Sequence, residues 1–235
     1  MTPGALIKAV SAQLAAPHWR LIWIASFALL AFTRHRMFSL LPFDGAPDLG
    51  AAFTLLGSGL AFVVGITILA VAALRIAGNS PRSPWAMNTG WWLFLVIGAL
   101  LSGLPVLSEA IIGAAALPQL AHFILSGALA AVAALVFARW MAAIAIDGAA
   151  TPPLANILAL RTHFAPAALW TAIVAGPLSG VHSLVSQMAT MLPAQNDLYL
   201  ALIDAAASTA MLLFALALMV VLYRDTDIEP KAAAS

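Results

Sequence analysis

The chain has 235 residues, of which 63% are apolar and only 8% charged, and its mean hydropathy is +1.02. A soluble domain carries about a quarter charged residues, so this sequence has too little polar surface to face water on all sides. A net charge of +1 leaves no case for nucleic-acid binding, and the absence of cysteine excludes disulfides, thiolate metal sites and cysteine nucleophiles.

These properties predict an all-α, polytopic membrane protein in one integral membrane domain, residues 1–235. Residues 1–16 read as an interfacial amphipathic helix, 17–223 as a bundle of six spans, and 224–235 as a disordered polar tail. At the start, Thr2 can cap a helix and Pro3 can occupy its first turn. Leu6, Ile7, Val10 and Leu14 then share one face at helical spacing, with Lys8, Ser11 and Gln13 elsewhere. The long apolar run that follows Arg20 lacks a clear small-residue cleavage site, so the start does not read as a cleavable signal peptide.

The first span is short of apolar residues: only 13 lie between Arg20 and Arg34, whereas about 20 are needed. It must take in a charged end, either Arg20 or the Arg34-His35-Arg36 run, before the turn at Pro42, Asp44, Gly45 and Pro47. The second span, Leu49 to Leu74, has no charge and places Gly57, Ala61 and Gly65 four residues apart, a stripe that lets a neighbouring helix approach closely. A breaker-rich loop, Arg75 to Pro84, leads to the third span, Met87 to Ile112. Trp85, Trp91 and Trp92 fit an aromatic belt at its start, and Glu109 follows a Pro105 kink near its end. The fourth span, Gln119 to Ile146, carries His122 early and Arg139 late. The fifth covers His163 to Met191 and the sixth Leu198 to Tyr223.

Eight basic residues (Lys8, Arg20, Arg75, Arg82, Arg139, Arg161, Arg224, Lys231) fall on one side of this topology, and only Arg34 and Arg36 on the other. That asymmetry predicts both termini in the cytoplasm of a bacterial cell, with the bundle in its inner membrane.

The topology gives each polar residue a depth. His35, Glu109, His122, His182 and Asp204 all fall in the outer half, and embedded ionisable groups turn toward the bundle or a cavity, so these five form a candidate outer pocket. In the fifth span, Gly176, Pro177 and Gly180 form a candidate kink: Pro177 removes a backbone donor, and the glycines let the chain bend or admit a neighbour.

Named chemistries find little support. No cofactor is predicted; a b-type haem held by His122 and His182 is geometrically open but has no paired-histidine spacing behind it. H-E-x-x-H, Walker and dinucleotide-glycine motifs are absent. The Gly-Pro-Leu-Ser-Gly run departs from the G-x-S-G of rhomboid proteases, because no glycine stands two before Ser179 and His182 lies on the same helix.

One stretch carries a resemblance. Arg139, Asp147-Gly148, Pro152, Ala159-Leu160-Arg161 and Phe164 form a basic end, an acidic-Gly turn and an Ala-Leu-Arg entry. The arrangement resembles the loop of bacterial six-helix membrane families, the YciC-like and glycerophosphodiesterase membrane-domain proteins. The resemblance spans about 25 of the 235 residues. It implies a six-helix fold and supplies no catalytic residues. An in-plane helix here would let Arg139 and Arg161 contact lipid phosphates.

The reading that follows is a non-enzymatic membrane subunit or scaffold that packs against lipid or other membrane subunits. A transporter or transporter component built on the kinked fifth span is the second reading, and a haem or metal redox protein the third. The small-molecule ligand is unspecified.

Overall fold

The computed structural model describes residues 1–40, 49–113, 117–148 and 152–225. The expected turn at Pro42–Pro47 and the tail beyond Asp225 lie outside the described residues.

The described residues form nine α-helices and two short 3₁₀ turns, with no strand among them. In order these are α1 (Pro3–Leu14), α2 (His18–Leu40), α3 (Leu49–Ala77), α4 (Thr89–Leu101), α5 (Leu104–Ile112), α6 (Gln119–Ile146), α7 (Pro153–Ala159), α8 (Phe164–Ala189) and α9 (Asp197–Asp225). Five spans are long and apolar enough to cross a membrane; α4 and α5 together make one of them. The number becomes six if α1 and α2, bent by 80°, are taken together. Alone, α2 carries Arg20, Arg34 and Arg36 among its 23 residues.

Local chemistry sets several boundaries. Thr2 caps α1, its Oγ1 accepting from the Ala5 N–H at 3.2 Å, and Pro3 opens the helix where no donor is needed. Asn88 caps α4 through the Trp91 N–H at 3.1 Å. The third span is interrupted at Ser102–Gly103, and Pro105 sits in the first turn of α5, where its missing N–H costs nothing. Pro177, by contrast, lies inside α8, which runs unbroken around it.

The central element is α9, which packs against α1, α2, α3, α6 and α8. Burial is concentrated at one end of the bundle, called here the basic end. There Val71–Leu74 of α3, Ala142–Ile146 of α6 and Leu216–Leu222 of α9 form the core. Toward the far end the outward faces of α3, α4 and α5 are apolar and exposed, as at Leu56, Leu60, Leu100 and Val106. These are the side chains that a bilayer would cover.

The apolar face of α1 turns toward protein. Leu6 and Val10 are fully buried, with Ile7 and Leu14 packed on the same core, beside α8 and α9. The pattern that reads as a lipid-facing stripe is therefore filled by the bundle. Trp91 is likewise buried, leaving only Trp85 and Trp92 of the expected aromatic belt on the surface.

Glycine makes the closest helix pair. A side-chain carbon added at Gly127 of α6 would collide with Ser179 of α8. One added at Gly180 would stand 2.8 Å from Ile124, and one at Gly176 3.2 Å from Ala128. Gly176 and Gly180 thus admit α6. On α3, Gly65 meets Leu29 of α2, but Gly57 and Gly59 have open space around them.

At the basic end, α3, α6 and α9 all terminate, and each presents carbonyls with no partner inside its own helix. Arg75 answers this. Its guanidinium is 1% exposed; Nε donates to the Ala145 carbonyl (2.9 Å), Nη1 to the carbonyls of Ser83 (3.0 Å), Pro84 (3.3 Å) and Ala86 (2.7 Å), and Nη2 to Asn88 Oδ1 (2.9 Å). Ser80 Oγ donates to the Ile146 carbonyl at 2.7 Å, and Arg224 to that of Ala77. Tyr223 donates to the Asp147 carboxylate at 2.8 Å. Gly148 has φ +108°, a conformation open to glycine, and the Arg82 guanidinium occupies the space of its missing side chain.

Arg75→Lys keeps the charge but replaces a planar fork by one ammonium, stranding several acceptors. It should lower stability by about 2–4 kcal/mol, read as a fall in the unfolding midpoint in mild detergent.

Candidate functional site: a charged cluster between three helices

Arg34, His182 and Asp204 meet where α2, α8 and α9 pack together. Arg34 lies six residues before the end of α2, His182 seven before the end of α8, and Asp204 seven after the start of α9. At the α-helical rise each is roughly 10 Å in from the far end of its helix. Three separate helices therefore deliver charge to one level.

Asp204 is fully buried. Arg34 Nε stands 2.8 Å from its Oδ2, and His182 Nδ1 contacts its Oδ1. The arginine contact is a charge pairing rather than an aligned hydrogen bond, since Oδ2 has no hydrogen-bond partner among the described residues. The two basic side chains are 21% and 31% exposed, so the cluster is reached through them and not through the acid. A carboxylate buried in a low-dielectric bundle is tolerated only when it is paired, and here the pairing comes from both sides.

The other expected members of the outer pocket sit elsewhere. His35 is half-buried, and its Nδ1 has no partner among the described residues. Glu109 is exposed on α5. The His122 ring lies near the end of α5, with Cε1 3.8 Å from where a Gly113 side-chain carbon would stand. Among the described residues none of the three makes a hydrogen bond or ion pair with Asp204 or His182. Arg34, left out of the expected pocket as an end-of-helix charge, is the member sequence reasoning missed. The signal was available: its distance from the nearest loop matches those of His182 and Asp204.

His182 has Nδ1 committed to Asp204, which leaves Nε2 as its one ring nitrogen for any metal or haem iron. No group of three or more His, Asp or Glu side chains among the described residues is placed to hold a metal ion. Near the basic end, Arg139 is buried and donates to Asn156 Oδ1 of α7, while Asn156 Nδ2 donates to the Pro152 carbonyl at 2.8 Å. Arg139 thus faces protein, and of the two arginines expected at lipid phosphates only Arg161 is turned outward.

Compared with protein-family models, characterised proteins and solved structures, the chain matches none.

Asp204→Ala strands Arg34 and His182 and should cost about 3 kcal/mol. Replacing the pair with apolar groups, Arg34→Met with Asp204→Leu, should recover most of that loss. Unfolding midpoints of the wild type and both variants, in the same detergent, check this.

Proposed function

We propose that the chain is a non-enzymatic integral membrane protein of the transport type. It is a transporter or transporter component that engages a small polar solute or ion at the Arg34–Asp204–His182 cluster. The observation that carries this reading is the full burial of Asp204 between basic side chains from two other helices. Ionisable groups inside a membrane are expensive and mark solute or ion paths more often than they serve packing alone. Their exposed portions, on Arg34 and His182, are where a solute would first be met.

The six-span topology belongs to the same proposal. Taken as a crossing, α2 has 23 residues and extends roughly 35 Å, enough for the hydrocarbon core. The charge that makes it look unsuitable is partly answered within the protein, because Arg34 is paired with Asp204. Arg20, near the opposite end, can extend toward headgroups. The excess of basic residues on one side supports cytoplasmic termini and a bacterial inner membrane. The Arg139–Phe164 stretch, with its Asp147-Gly148 turn, supports kinship with the YciC-like six-helix families.

The test uses the charge-free variant, Arg34→Met with Asp204→Leu. Purified wild type is screened by thermal shift against a panel of small organic and inorganic ions. Ligands that raise the wild-type midpoint should fail on the folded charge-free variant and on His182→Gln. Ligand responses that survive in both would remove the cluster from function.

A second reading, a scaffold subunit, is favoured by α3, where Gly57 and Gly59 have open space beside them. A partner helix seated there should be lost on Gly57→Trp. Cross-linking in native membranes, followed by mild extraction, should give an adduct that this substitution abolishes; a monomer in both samples would count against it.

A further inference from the structure

The basic end is tightly filled, but the middle of the bundle is not. Between α3, α4, α6, α8 and α9 lies a cavity of about 440 Å³. It exists because small residues face one another: Gly98 on α4, Ala131, Ala134 and Ala138 on α6, Ala175 on α8 and Ala215 on α9 all line it. Ala215 shows the consequence. It is exposed although it sits on the central helix, amid a run of buried residues from Leu213 to Leu222. The stretch of α9 along the wall, Met211 to Met219, is roughly 12 Å long at the helical rise, so the space runs along the helices. The exposed Val63, Ala99 and Ser102 mark its rim between α3 and the end of α4.

Three hydroxyl residues, Thr67, Ser102 and Thr171, interrupt the apolar wall; Ser102 Oγ donates to the Ala99 carbonyl at 2.6 Å. Thr171 of α8 is 7% exposed and lines this cavity, and its Oγ1 has no hydrogen-bond partner among the described residues. A threonine in a helix ordinarily returns its hydroxyl to the carbonyl one turn back, as Thr33 does to Leu29 at 2.8 Å. An unpaired buried hydroxyl is penalised.

We propose that this cavity is a binding site for an uncharged lipophile that carries one carbonyl or hydroxyl group, with Thr171 Oγ1 as its hydrogen-bond partner. The volume and the mostly apolar wall, in which Thr67, Ser102 and Thr171 are the polar residues, are those of small-molecule pockets. No cation or anion lines the wall, so a carboxylate or amine would be buried without a counter-charge. Thr171 is seven residues from the start of α8, roughly 10 Å from that helix end. That position, well inside the helix, suits a molecule whose polar group travels within the hydrocarbon layer. The three lining methionines, Met141, Met211 and Met219, give the walls adaptable shape. The site is distinct from the charged cluster: Met211, at its outer edge, is seven residues along α9 from Asp204.

The experiment uses the full chain in phosphatidylcholine nanodiscs and two photoreactive probes, a diazirine-bearing long-chain alcohol and the matching hydrocarbon. Labelled peptides are located by mass spectrometry over a range of probe concentration. The alcohol should label the α6 and α9 segments that line the cavity. Thr171→Val, which keeps the shape and removes the hydroxyl, should weaken alcohol labelling about five-fold and leave hydrocarbon labelling unchanged. Ala215→Leu should weaken both by filling the space, with Ala134→Leu serving the same end from α6 if the first does not fold. Thr171→Val should unfold at the same temperature as wild type or higher, because it removes an unpaired hydroxyl. The proposal is overturned by labels confined to outward faces such as Leu56 and Leu100, or by an unchanged ratio of alcohol to hydrocarbon labelling in Thr171→Val. It is equally overturned if Thr171→Val unfolds the protein, since the hydroxyl would then serve the fold.

Discussion

The buried guanidinium of Arg75 anchors the basic end. Among the described residues it meets no carboxylate; five neutral oxygens surround it instead. One belongs to the last turn of α6, where aligned peptide dipoles concentrate negative potential. The others come from the loop before α4 and from its cap residue, Asn88. One side chain thus joins the end of α3, the end of α6 and the start of α4. A membrane protein has few polar groups to spend and little water to fall back on, so a single multidentate donor can organise a whole end of the bundle.

From that anchor the rest of the architecture follows a gradient. Near Arg75 the helices are held by hydrogen bonds and by fully buried Leu, Val, Ile and Ala. Farther along, α6 and α8 stay together because glycines allow contact at Gly127, Gly176 and Gly180, and because Gln119 donates to Gln187 at 2.6 Å near the far end. Over the same distance α3 and α4 line the apolar cavity together with α6, α8 and α9. The charged cluster then joins α2, α8 and α9 beside a second, smaller apolar core of Phe38, Val185, Ala189, Leu200 and Ala201. The Ser179 hydroxyl, 3.5 Å from Met211 Sδ, lies between the cavity and that cluster. Hydrogen-bonded end, apolar chamber and buried charges thus follow one another along the bundle.

Two glycine features that look alike in sequence do different work. The small-residue stripe of α3 reads as a packing face, yet only Gly65 is used against α2, and Gly57 stands open. The Gly-Pro-Leu-Ser-Gly run of α8 reads as a kink whose glycines bend or admit a neighbour; the helix runs on through it, and the glycines accept α6. Spacing alone cannot separate these outcomes, because a glycine removes a side chain without stating what fills the gap. The neighbour decides, and the neighbour is a property of the fold.

The sequence by itself determined the class of protein and most helix limits, including Gln119–Ile146 without error, because hydropathy, proline and polar loops act locally and add along the chain. It also determined that charge would be scarce, and the expected topology brought His182 and Asp204 onto one list. Only the tertiary structure decided that Arg34 joins them while His35, Glu109 and His122 do not, that Trp91 and the apolar face of α1 point into protein, and that Thr171 opens onto a chamber. The physical reason is rotational. A helix that is apolar nearly all round carries almost no amphipathic signal to say which side faces protein and which faces lipid. Its rotation is set by side-chain packing against the other helices, a relation that no single segment contains.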